Sequence, residues 1–161
     1  MNYEKLQADI VQKKYPKVFH TDELEDGSIY LGDPRFLLRV PEDELLLRKD
    51  RIGNRVELSS VQRIIDSVKK GEEEELFISD KVLWFKDVPG HKVNVLTNDK
   101  GYKKYVAKWM IDIVTKGSPD LSFFGDSTRT SPVLVRDRDD ADEIVWGILA
   151  LTRVKEDEAN G

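Results

Sequence analysis

Five carboxylates crowd one short stretch of the chain: Asp137, Asp139, Asp140, Asp142 and Glu143. Such a group has the chemistry to hold magnesium or calcium, or to serve a metal-dependent nuclease. The spacing lacks the glycine and the closing bidentate glutamate of a calcium loop, and the run falls between two strand-like segments. We read it as a solvated connection. Glu72 to Glu75 form a second run of like charges, which repel one another and favour exposure. His20 and His91 are the only histidines, far apart in sequence and with no serine or carboxylate at suggestive spacing. Cysteine is absent, which excludes a disulfide framework, a thiolate zinc site and a cysteine nucleophile. There is no phosphate-cradling glycine loop and no HExxH pair. The expectation is a protein that is not an enzyme, with no cofactor and no metal.

The elements that would position any site come from a chain of 161 residues, 39% hydrophobic and 35% charged. That is enough apolar material for one domain, or one domain and a small appendage. The longest apolar stretch, Ile144 to Leu151, is far short of a membrane span, and the first six residues contain no signal-like apolar run. A cytoplasmic protein without a membrane partner is expected.

Three segments have helical periodicity: Tyr3 to Lys14, Ser59 to Lys70 and Tyr105 to Lys116. Val61, Ile64, Ile65 and Val68 form one apolar stripe, and Val106, Trp109, Met110 and Ile113 another. Gly71 and Gly117 follow the last two helices as stop signals. Strand-like runs cover Leu76 to Ser79 and Val82 to Phe85, with Asp80-Lys81 as a hairpin turn between them. Others cover Lys92 to Leu96, Asp120 to Phe124, Pro132 to Arg136 and Glu143 to Thr152. The first third adds Lys17 to His20, Ser28 to Leu31 and Arg35 to Val40. From Arg55 to Val154 the order is strand, helix, three strands, written twice with a period of about fifty residues. The predicted class is α+β, with helices on one face of antiparallel sheets. Its organisation is an N-terminal helix plus short strands over 1–50, a twofold β-α-β-β-β domain over 51–154, and an acidic tail over 155–161. The first fifty residues, helix then three strands, are a candidate partial third copy.

That plan is similar to one domain of a DNA polymerase sliding clamp. Tyr105 to Val114 resembles the last clamp helix, and Asp120-Leu121-Ser122-Phe123-Phe124-Gly125 the strand after it. Ser131-Pro132-Val133-Leu134-Val135-Arg136-Asp137 resembles the "SPVL-x-x-D" strand near the end of bacterial clamps. The family's closing "MPMRL"-type end stands here as Leu149-Ala150-Leu151-Thr152-Arg153-Val154, without the proline. A bacterial clamp has three such domains per chain, and this chain has room for one or one and a half. The resemblance implies a replication or repair accessory that closes a homo-oligomeric ring around duplex DNA and tethers a polymerase or other replication protein. It also implies that Leu149, Leu151 and Arg153 contact that partner.

A clamp turns its helices toward DNA, so they should be basic on any chain. Counted over Tyr3 to Lys17, Ser59 to Lys70 and Gly101 to Lys116, the helical segments with their flanks carry +7 on a chain of net charge −5, which leaves −12 elsewhere. Arg63, Lys69, Lys70, Lys104, Lys108 and Lys116, joined by Lys13 and Lys14, are the expected DNA-facing set. Diffuse cations neutralise phosphates without reading bases. A different class of function, a non-enzymatic interaction or inhibitor protein of phage or mobile-element type, would use the same surface only to bind a host replication protein.

Overall fold

The computed structural model describes residues 1–12, 14, 17–48, 52–85, 91–116, 120–128, 130–152 and 159–160. Helix α1 (Tyr3–Val11) opens on Asn2, whose side chain accepts from the Lys5 N–H at 3.1 Å and satisfies one of the first-turn donors. Strands β1 (Phe19–Thr21), β2 (Ile29–Asp33) and β3 (Phe36–Val40) follow. Then come β4 (Asn54–Val56), α2 (Leu58–Lys70), β5 (Glu74–Phe85), β6 (Lys92–Thr97) and β7 (Lys103–Ala107). The remainder is α3 (Lys108–Thr115), β8 (Ser122–Gly125), β9 (Val133–Arg136), β10 (Val145–Leu149) and the short β11 (Ala159–Asn160).

Ten strands form one sheet in the order β4-β1-β2-β3-β10-β9-β8-β5-β6-β7, and β11 pairs with the end of β5. Every neighbouring pair is antiparallel except β1 with β4. At the middle, β3 meets β10 with Leu38 opposite Gly147. A Cβ at position 147 would stand 2.9 Å from Leu38 Cδ2 and 3.2 Å from Val135 Cβ, so the close approach of the three central strands requires glycine there. Two units of the same order, α1-β1-β2-β3 and α3-β8-β9-β10, meet across this pair. The middle of the chain, α2-β5-β6-β7, has the same helix-then-three-strands order. Helices α1 and α3 touch, the Asn2 N–H donating to the Ile113 carbonyl at 2.7 Å.

Alternation divides the apolar residues between two faces. Leu31, Leu38, Phe123, Val133, Val135 and Leu149 join α1 and α3 in one core. Tyr30, Phe124, Leu134, Val145 and Ile148 join Val61, Ile65 and Val68 of α2 in another. A bulge between Val145 and Gly147 shifts the alternation in β10, which lets Val145 and Ile148 share the α2 side. The helices therefore lie on both faces, not on one. The reason is visible in Val133-Leu134-Val135, which is buried throughout: a strand apolar on both sides needs cover on both sides. Val133 to Arg136 accordingly show no alternation of buried and exposed positions.

Two element boundaries also differ from expectation. β5 runs unbroken through Asp80-Lys81, and a register shift between Ile78 and Val82 stands where the hairpin was expected. Tyr105, Val106 and Ala107 belong to β7, so α3 starts only at Lys108. Met110 and Ile113 are buried beneath the sheet as expected, while Trp109 is half-buried at its margin, edge-on to Phe36 at 5.4 Å. Among the described residues, no helix is long and apolar enough to cross a membrane.

Candidate binding cleft

The residues assigned to DNA contact do not form one surface. Lys104 is 1% exposed. Its ammonium donates to Asp126 Oδ1 at 3.2 Å, to the Ser131 carbonyl at 3.0 Å and to the Thr128 carbonyl. Lys104 lies in β7 and Lys108 opens α3, so the two share no helical face. Lys108 is held by Asp112 at 2.8 Å, Lys69 by Glu143 at 3.5 Å and Lys14 by Asp9 at 3.2 Å. Arg63 and Lys70 are exposed on α2 with no acid partner among the described residues, as is Lys116 at the end of α3. Since α2 and α3 cover opposite faces of the sheet, these cations point away from one another. Lys13 and Arg153 lie outside the described residues. Leu149 is fully buried in the α1/α3 core, so it is a packing residue and offers no surface to a partner.

The carboxylate run between β9 and β10 serves its own backbone. Asp137 accepts from the Asp139 N–H at 2.9 Å. Asp140 accepts from the N–H groups of Asp142 and Ile144, both at 3.1 Å. These are local turns that the short acidic side chain supports. No group of three or more metal-ligating side chains occurs among the described residues.

A cleft of about 1180 Å³ opens beside α2. One wall is apolar: Phe19 of β1, Val56 of β4 and Ile64 of α2. Ile64 belongs to the helix's apolar stripe yet remains 40% exposed, because it borders this opening. Polar lining comes from Lys100 and Tyr102, just before β7, and from Lys103 and Tyr105 within it. Asp33, Pro34, Arg35 and Leu37, then Ser127, Thr130 and Pro132, then Ile148, Ala150, Leu151 and Thr152 complete the lining.

Three devices fix these walls. Arg35 donates from Nη2 at 2.7 Å and Nε at 3.1 Å to the same oxygen, Oδ2, of buried Asp33, which fixes the orientation of the guanidinium. Its guanidinium stands 5.1 Å from the Trp109 ring centroid. The chain leaving β10 bridges the two sides. The Ala150 N–H donates to the Arg35 carbonyl and the Thr152 N–H to the Tyr105 carbonyl, each at 2.8 Å. Finally, Lys104 ties β7 to the loop beyond Asp126, whose Oδ1 also accepts from the Thr128 N–H at 3.0 Å. A Cβ at Gly125 would lie 3.2 Å from Lys104 Cε and 3.0 Å from Leu76 Cδ1, so a small residue leaves the lysine its path.

Leu151 is the one expected partner-contact residue that the structure places on the cleft, half-buried beside Thr152. The turn at Pro34 and the loop at 126–132 went unread because their importance depends on contacts distant in sequence. The apolar Ile64 at an exposed position was the available signal. No family model, no curated protein and no solved structure matches the chain.

Proposed function

We propose that this is a non-catalytic docking protein, a clamp-like accessory of replication, which holds an extended segment of a partner protein in the cleft beside α2. The observation that carries this reading is the cleft itself. Its volume of about 1180 Å³ is at or above the usual range of about 300–1,000 Å³ for small-molecule pockets. It joins an apolar wall to a polar one and is bordered by Leu151, in the segment that resembles the clamp family's closing end. Among its described lining residues there is no histidine, and the sole carboxylate, Asp33, is bound by Arg35. Amide-resolved NMR titration with pooled linear peptides tests the proposal. Shifts centred on Arg35, Tyr102 to Tyr105 and Leu151 are expected. Shifts scattered over the surface, or none, would refute it.

A second reading, a ring of copies around duplex DNA, is supported by the repeated helix-then-three-strands units, which set α1 and α3 side by side as a clamp sets its helices. Ring closure would use the two outer strands, β4 and β7, as edges. The cations on that helix pair are largely matched by Asp9 and Asp112, which weakens the phosphate contact this reading needs. Solution mass decides it. An oligomer retained on nicked circular DNA supports the ring, and a monomer that washes off excludes it.

A further inference from the structure

We infer that the cleft selects an acidic–apolar segment, one in which a carboxylate alternates with large apolar side chains; this rests on the docking reading above. Among the described lining residues the ionised side chains are Arg35, Lys100 and Lys103 against Asp33. Asp33 is buried and bound by Arg35, so its charge is not presented to a ligand. Lys103 is exposed at the mouth and has no acid partner among the described residues. Lys100 pairs with Glu74 outside the cleft, and both side chains are well exposed, at 57% and 38%. Exposed pairs of this kind are weak, so an arriving carboxylate can exchange for Glu74 at little cost.

The chain as a whole carries −5, so an acidic ligand is repelled by most of the surface and accepted here. A basic segment would meet like charge along the β7 wall.

The two walls also set the pattern within the segment. Phe19, Val56 and Ile64 supply apolar lining, and Lys100 and Lys103 supply basic lining. Successive side chains of an extended chain point to opposite sides. A segment lying along the cleft therefore places residues i and i+2 on the apolar wall and residue i+1 toward Lys103. The ligand class is an extended peptide of the form apolar–acidic–apolar.

Selection of linear twelve-residue peptides from a display library on the wild-type protein tests this. Enriched sequences are then synthesised and titrated against wild type, Lys103→Glu, Ile64→Arg and, as a control outside the cleft, Lys81→Glu. All three positions are exposed, so circular dichroism should show folded variants. We expect enrichment of the alternating acidic pattern and affinity that falls as salt is raised. Lys103→Glu should weaken binding about tenfold, equivalent to about 1.4 kcal/mol, Ile64→Arg should weaken it at least as much, and Lys81→Glu should have no effect. Neutral or basic winners that Ile64→Arg releases but Lys103→Glu does not would overturn the acidic preference and leave the docking reading standing. No enrichment, or winners indifferent to both cleft variants, would overturn the docking reading together with the preference.

Discussion

The two faces of the central sheet are covered unequally. On one, α1 and α3 lie side by side over Leu31, Leu38, Val133, Val135 and Leu149, and the apolar surface is sealed. On the other, α2 alone covers Tyr30, Phe124, Leu134 and Ile148. The cleft opens beside that single helix, where Leu37, Val56 and Ile64 remain only partly covered. A second helix on this face would have buried them. The cleft is not an ornament on a finished core. It is the part of one face that the fold leaves without a cover, held open by fixed loops.

The largest effect should come from the lysine that holds the cleft wall. Lys104→Met leaves Asp126 buried without its cation and removes the donor from two carbonyls. Breaking one partner of a buried pair costs about 3–5 kcal/mol, and Asp126→Leu added to the first change should recover part of it. Urea unfolding of the two single variants and the double variant measures this. An unchanged midpoint for Lys104→Met would mean that the pair does not hold the wall.

Next in size is the contrast between the faces. Leu6→Ala, from a fully buried position of α1, should cost about 2–5 kcal/mol. Ile64→Ala, on the cleft side of α2, should stay within about 0.5 kcal/mol. Equal losses in urea unfolding would mean that α2 is sealed as tightly as its counterparts, and the cleft would lose its explanation. Ile64→Arg sharpens the same point: stability nearly unchanged, peptide-induced NMR shifts abolished.

The smallest effect concerns acid. The Asp26 carboxyl is held at about 2, first by the hydroxyl and backbone N–H of Ser28 and further by Arg39. A carboxylate whose folded value lies below its unfolded one, near 3.8, stabilises above the unfolded value, and that stability is lost as pH falls from about 4 toward 2. Asp9 behaves alike on α1: burial pushes its carboxyl up, and bonds from Lys5 and Lys14 outweigh that and hold it below the usual range. Thermal midpoints between pH 5 and pH 2 should fall less steeply for Asp26→Asn than for wild type. Parallel curves would remove Asp26 from the account. The effect should be modest, because the Asp26 side chain is 54% exposed.

Periodicity in the chain settled a good deal. Val61, Ile65 and Val68 recur at helical spacing and are the residues α2 buries; Met110 and Ile113 do the same for α3. The strand-like runs in the first third and near the end were legible because β-branched and apolar residues cluster between turn signals. What local pattern cannot carry is which face an element covers and which distant segment it meets. Lys104 looks like any surface lysine until β7 and the loop at 126–131 close around it. Ile64 looks like any core residue until α2 proves to lie alone on its face. The pairing of β3 with β10 joins chain segments more than a hundred residues apart, which no local pattern announces. Composition and spacing determined the helices, most strands and the lack of thiol chemistry in this protein. Only the tertiary structure decided the cleft, because a cleft is made of what long-range packing leaves uncovered, and no short stretch of sequence encodes an absence of neighbours.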